Sequence, residues 1–296
     1  MRTDSIAIIC GLAAGIGWGF SGFFDAKASK SAGPILASFL INGLVALAYA
    51  IVYLLFFSQG HHIQADGIWY AIASGAAITA GALMYFKGLA LGPVGLVSPL
   101  SASYPLVTTL VALVIFHARP SGVQLIAILM IMAGVMAASG ILSARGVSSR
   151  KLERGPLLGL CTALAWGAGY ALASQAISRL GWQLASLIEF GAMALAFGIF
   201  IPLVTAEKIT LDHVLQASKN KFILLSGGIS LCAAVALNIG LSREKSSGAI
   251  VSALSACYPV LTVLLARRHF DELIDRVPLI GAFVSIVGVV VLSLTS

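Results

Sequence analysis

Glu189 lies within the apolar stretch LASLIEFGAMALAFGIF (Leu184 to Phe200). A carboxylate at such a depth needs a partner, because an unpaired charge in hydrocarbon costs several kcal/mol. Two chemistries follow: Glu189 can pair with an ammonium group on a solute, or it can carry a coupling proton. A third reading is structural. Trp182 begins the segment only two turns earlier, so water near the mouth of a short span could satisfy the acid. Asn42 and Asn238 are the other polar groups set deep in apolar segments, and each can offer both a donor and an acceptor to a solute.

A second group is built from hydroxyls and prolines. VSPLSASYPLVT (Val97 to Thr108) and VSALSACYPVLT (Val251 to Thr262) agree at eight of twelve positions. At helical spacing Ser98, Ser101, Tyr104 and Thr108 share an arc of roughly 120°, as do Ser252, Ser255, Tyr258 and Thr262. Pro105 has no N–H to give the carbonyl of Ser101, and Pro259 likewise leaves that of Ser255, so each helix is expected to kink. A freed carbonyl at membrane depth is tolerated against protein, hydroxyls or a wet cavity. The hydroxyls therefore either line a cavity or join helices, a role worth about 1 kcal/mol each.

Aromatic residues form a third group. Trp18 and Trp166 are each followed by glycine, Tyr170 lies one turn after Trp166, and Tyr85 falls in a third segment whose counterpart carries Ile239. Such rings could stack on an apolar or aromatic solute, or merely pack. Trp69, Tyr70 and Trp182 fit an interfacial belt instead. His61-His62 with Asp66, and His269 with Asp271-Glu272, lack metal-ligand spacing and read as solvated loops. The four cysteines stand singly, which favours packing over disulfides or zinc. No phosphate-binding glycine loop or nucleophile motif is present, so neither a cofactor nor ATP-driven chemistry is implied and an enzyme is not expected.

The elements that must hold these residues follow from composition. Of 296 residues 59% are hydrophobic and 10% charged, and the mean hydropathy is +1.01. A soluble domain needs far more surface charge. Long apolar runs recur at 6–26, 33–57, 67–90, 93–116, 121–142, 155–178, 182–205, 222–242, 248–267 and 277–295, each able to cross a bilayer core of roughly 30 Å. They lack the alternation of barrel strands. The fold class is all-α integral membrane with ten transmembrane helices. The net charge of +7 sits in short loops, where topology explains it without nucleic acid. Asp25, Lys27, Lys87, Arg243, Glu244 and Lys245 are expected at span ends, snorkelling to the surface. The stretch 206–221 has room for a short surface helix.

The chain also repeats itself. With a shift of 148, GLAAGIGWG (Gly11 to Gly19) lies over GLCTALAWG (Gly159 to Gly167), and Gly33 lies over Gly181; with a shift of 154, the two Tyr-Pro segments coincide. Residues 1–142 and 155–296 read as two five-helix repeats joined by the polar loop 143–154. Five is odd, so the second repeat enters from the opposite side, and two inverted repeats are a recurrent plan of transporters with a site at the midplane. Thirteen of the 18 Lys and Arg residues fall on one side, which puts that side in the cytoplasm and both termini outside.

The Trp-Gly of spans one and six, the Tyr-Pro of spans four and nine and the glycine-rich ends of spans three, four, five and ten resemble the drug/metabolite transporter superfamily. The likeness is to its EamA-type members, and most to the YddG-type exporters of aromatic amino acids. The resemblance spans nearly the whole chain. It implies a bacterial inner-membrane, multi-pass exporter with one cavity shared by both repeats. One departure stands out: the Glu that often follows the fourth span of a repeat has a counterpart in Glu272, but Ala118 stands at that place in the first half. The expected partners are the lipid bilayer and an amino acid-like small molecule held among Trp18, Asn42, Tyr85, Ser101, Tyr104, Trp166, Tyr170, Glu189, Asn238, Ser255 and Tyr258. An exporter of aromatic cations and toxic organics is an open alternative, and a membrane-embedded lipid-modifying enzyme is one from another class. A monomer is one open reading of the oligomeric state.

Overall fold

A computed structural model describes residues 5–57, 64–117, 121–138, 149–204, 210–243, 251 and 254–270, with scattered positions between 277 and 291. His61, His62, Ala118, the loop 143–148, Glu244, Lys245, Ser252, Asp271 and Glu272 lie outside the described residues. Ten helices are defined: α1 (Ser5–Ala32), α2 (Pro34–Phe56), α3 (Ala65–Leu91), α4 (Val94–Ser101), α5 (Tyr104–Val114), α6 (Gly122–Ala138), α7 (Ser149–Val204), α8 (Leu211–Ser218), α9 (Lys221–Leu241) and α10 (Tyr258–Phe270). No strand occurs among the described residues. Five of the helices (α1, α2, α3, α7 and α9) contain stretches long and apolar enough to cross a membrane. Their outer faces carry bare apolar side chains such as Ile9, Leu195 and Ile199, exposed by 63–75%. Water would penalise that surface and lipid does not.

Two glycines turn the chain. Gly33 has φ 82° and is followed by Pro34 at the start of α2; Gly181 has φ 75° and divides α7. Positive φ strains any residue with a Cβ, so glycine is required at both places. The consequence at Gly181 is a sharp return. Ser74 on α3 touches Gly169 from one leg of α7 and Glu189 from the other. In a straight helix those two residues would stand about 30 Å apart.

The expected kinks are complete breaks. α4 stops at Ser101, Ala102 and Ser103 make a turn, and α5 starts at Tyr104. Ser103 N–H donates to the Leu100 carbonyl at 3.2 Å and Leu106 N–H to that of Ser103 at 3.1 Å. The later segment copies this: Cys257 N–H donates to Leu254 at 3.2 Å and Val260 N–H to Cys257 at 3.1 Å, before and within α10. Each proline thereby occupies a first helical turn, where a missing N–H removes nothing the helix would have used.

Glycine faces of α1 and α7 carry these broken segments. The Thr108 hydroxyl donates to Gly167 O at 3.1 Å, and that of Thr262 donates to Gly19 O at 3.0 Å. α3 lies along α7, with the Thr162 hydroxyl donating to Gly81 O at 3.3 Å. α8 falls in the stretch expected to hold a surface helix, capped by Thr210, whose hydroxyl accepts from His213 N–H at 3.3 Å. The four cysteines are free thiols, as read from their spacing.

Candidate functional site

α1, α2, α3, α5, α7, α9 and α10 enclose a cavity of about 120 Å³. A single water needs about 10–15 Å³ on the same measure, so the space suits a small solute. Nine of the eleven residues expected at a site line it: Trp18, Asn42, Tyr85, Tyr104, Trp166, Tyr170, Glu189, Asn238 and Tyr258. Ser101 and Ser255 do not. They stand behind the wall and hold its tyrosines: the Tyr258 hydroxyl meets Ser101 Oγ at 2.5 Å, and the Tyr104 hydroxyl meets Ser255 Oγ at 2.7 Å. Each half of the chain thus braces the tyrosine of the other. The spacing argument put serine and tyrosine on one arc, but the helix breaks between them, so they part.

The rings form a continuous rail. Tyr85 and Trp166 have centroids 5.1 Å apart, Trp166 and Tyr104 6.5 Å, Tyr104 and Tyr170 4.9 Å, and Tyr170 and Trp18 6.2 Å. The two tryptophans, equivalent in sequence, differ in setting. Trp166 lays its indole against Gly81 and donates its N–H to Ile78 O at 3.2 Å. A shift of 154 puts Val235 opposite Gly81, so the glycine is not repeated in the other half.

Glu189 is buried and sits in a chain of hydroxyl contacts. Ser74 Oγ is 2.9 Å from Glu189 Oε2 and 3.0 Å from Gly169 O. Serine has one hydroxyl proton. That proton is shared between two acceptors, Glu189 Oε2 and Gly169 O, so the serine ties the acid to the first leg of α7. This geometry replaces the water-satisfied carboxylate near a span mouth. Asn238 donates to Ser186 Oγ at 2.6 Å, and Asn42 donates to Ser38 O at 2.8 Å, leaving each amide oxygen for other partners.

Asp25 corrects the reading of the sequence most. Expected to snorkel at the end of span one, it is buried, lines the cavity and accepts a hydrogen bond from the Ser226 hydroxyl. The reason is helix length: α1 runs on to Ala32, so Asp25 lies inside a packed turn. The stripe of buried small residues Gly15, Gly19, Gly22, Ala26 and Ser29 continues past it and was the available signal. Lys27 behaves closer to expectation, with its ammonium over the rings of Phe23 and Phe222 at 4.6 and 5.1 Å. His269 packs against Phe23 with the ring planes tilted by 57°, and no metal-binding group occurs among the described residues.

The tyrosine braces are testable. Tyr104→Phe removes the bond to Ser255, and Tyr258→Phe removes bonds to both Ser101 Oγ and Ser98 O, at about 0.5–1.5 kcal/mol per bond. Thermal unfolding in detergent should show a lower midpoint for each, with the larger drop in Tyr258→Phe.

Comparison with known proteins agrees with this architecture. A crystal structure of another protein, 18% identical, superposes with a TM-score of 0.71 over 100% of both chains and supports the fold alone. An uncharacterized transporter of Archaeoglobus fulgidus is 26% identical over 291 residues, 98% of either chain. The model of the EamA-like transporter family matches residues 5–140 and again 153–294. With apolar helices throughout and two matches covering nearly all of its length, the chain belongs to the EamA-like transporter family and is a multi-pass membrane transporter.

Proposed function

We propose that the protein exports amino acid-like solutes with an aromatic or other apolar side chain, by alternating access between two inverted five-helix repeats, in the manner of the YddG-type exporters. The observation that carries this reading is the cavity itself: a rail of rings with a carboxyl, Glu189, beside it. The solute's ammonium pairs with Glu189. Its side chain lies on Tyr104, Trp166 and Tyr170, and its carboxylate meets neutral donors such as the cavity's tyrosine hydroxyls. The reciprocal Tyr104–Ser255 and Tyr258–Ser101 bonds support a twofold relation between repeats. Helix breaks directly beside those bonds are the natural hinges. The charge asymmetry supports an orientation in a bacterial inner membrane with the lysine-rich loops inside, and the direction of export comes from the likeness to the YddG-type exporters.

One observation favours a second reading. Among the described lining residues none is Lys, Arg or His, so nothing cationic awaits the carboxylate of a zwitterion. Organic cations lacking a carboxylate would fit that balance. Sealed proteoliposomes containing only this protein separate the readings. Saturable flux of phenylalanine is expected for amino acid export. Flux of phenethylamine with none of phenylalanine assigns the protein to cations, and flux of neither removes both.

A further inference from the structure

We infer that Asp25 forms a second cation subsite in the cavity, so that the best-held solutes carry two ammonium groups separated by an apolar spacer. The inference rests on the proposed function, in which Glu189 takes the first ammonium.

Three observations carry it. The first is that Asp25 comes from α1 and Glu189 from the second leg of α7, yet both line the same cavity. Each has one serine hydroxyl as its side-chain partner, Ser226 for Asp25 and Ser74 for Glu189. The ion pair of Arg179 with Asp66 at 2.7 Å involves neither acid. Lys27, two residues beyond Asp25, turns its ammonium to the rings of Phe23 and Phe222. The nearer polar groups are the hydroxyls of Tyr85 and Tyr258, which are neutral. Two buried acids facing a shared space without a cation invite positive charge from the solute.

The second observation is an unsatisfied hydroxyl. Tyr85 is 3% exposed, lines the cavity, and its Oη makes no hydrogen bond; the buried Ser98 Oγ nearby does not reach bonding geometry with it. Tyr85 Oη lies over Gly22, where a Cβ would stand 3.1 Å from it, and Gly22 is one turn before Asp25. An ammonium group has three protons to place. The Asp25 carboxylate and Tyr85 Oη supply acceptors for two of them on one side of the cavity. A bare proton on Asp25 would need no second acceptor.

The third observation is what lies between the acids. Tyr85 begins the aromatic rail beside Asp25, and Trp166 and Tyr104 continue it. Tyr170 carries it past Gly169, which shares Ser74 with Glu189, before it reaches Trp18. Methylenes or a ring lying on that rail would connect two ammonium groups by apolar contact, with cation–π attraction at its ends. Diamines and diamino acids both have this chemistry.

The test uses the full chain, purified in detergent for binding and reconstituted for flux, with four matched probes. Cadaverine is compared with pentylamine, and lysine with norleucine, so that each pair differs by one ammonium group. Wild-type protein should bind the two-ammonium member of at least one pair about ten- to a hundredfold more tightly, the value of one charge-assisted hydrogen-bonded contact. Which pair responds tells a diamine from a diamino acid. Asp25→Asn should abolish that preference, weakening cadaverine and lysine far more than pentylamine and norleucine. Should Asp25→Asn fail to fold, Tyr85→Phe, which keeps the ring, should cut the preference severalfold. Equal affinities within both pairs, or a preference unchanged by these substitutions, overturns the second subsite alone. Absence of flux for all four probes, with phenylalanine or phenethylamine still carried, overturns the subsite alone; absence of flux for all six removes the proposed function and the subsite with it.

Discussion

Replacing Glu189 with Gln should reduce transport of ammonium-bearing solutes by about ten- to a hundredfold while leaving the protein folded. The two halves of that outcome have one cause. Glu189 Oε2 accepts from the Ser74 hydroxyl, which also faces Gly169 O. A Gln side-chain carbonyl can accept from Ser74 in the same way, so folding and thermal stability should survive. A Gln cannot become an anion when an ammonium group arrives, so the charge-assisted bond is lost. The same exchange sets the pH dependence. Ammonium and proton compete for Glu189, so affinity for pentylamine should rise as pH rises, by at most about tenfold per unit for one displaced proton. The rise should stop where the amine itself loses its proton. Glu189→Gln should flatten that slope, which can be followed by binding titrations at equal protein concentration between about pH 5 and 8. Normal flux with an unchanged slope in Glu189→Gln would remove the residue from both roles, leaving the solute to Asn42, Asn238 and the tyrosine hydroxyls.

Gly167→Ala should damage the protein more than any conservative change in the cavity. A Cβ at Gly167 would stand 2.8 Å from the Tyr104 carbonyl and overlap the Val107 side chain. A carbonyl in a helix cannot move aside as a side-chain tip can, so α5 must lift off α7. Overpacking of this kind costs about 1–3 kcal/mol. It also breaks the bond from Thr108 to Gly167 O and shifts Tyr104, whose ring contacts both Trp166 and Tyr170. Lower yield of folded protein, a lower unfolding midpoint and weaker solute binding should appear together. The matching change, Gly19→Ala, meets Leu261 at 2.7 Å and the Tyr258 carbonyl at 3.0 Å and should have a similar effect. Wild-type stability in both variants would show that these helices do not depend on close backbone approach.

Much of this was readable from residue order alone. Apolar runs of membrane-spanning length specify helices, because lipid leaves the backbone no other open-chain way to satisfy its hydrogen bonds. The paired Trp-Gly and Tyr-Pro segments mark equivalent places in two halves, and Glu189, Asn42 and Asn238 stand out because hydrocarbon makes polar residues expensive. Gly33 and Gly181 align in sequence and share the positive φ that turns the chain. What sequence could not decide were matters of distance between segments far apart in order. Span one was read as ending near Asp25, and only packing against α9 carries the helix onward and buries the acid against Ser226. Ser101 and Ser255 share a motif with the tyrosines, yet each serves the tyrosine of the opposite half, 157 and 151 residues away. Trp18 and Trp166 are equals in the repeat and unequal in space: Trp166 lies against Gly81, whose counterpart in the other half is Val235. Periodicity and polarity are properties of a segment and its solvent, so the sequence by itself determined an all-helical membrane protein and singled out polar and aromatic residues that line the cavity. Which hydroxyl meets which acid depends on how helices settle against one another, and only the tertiary structure decided that.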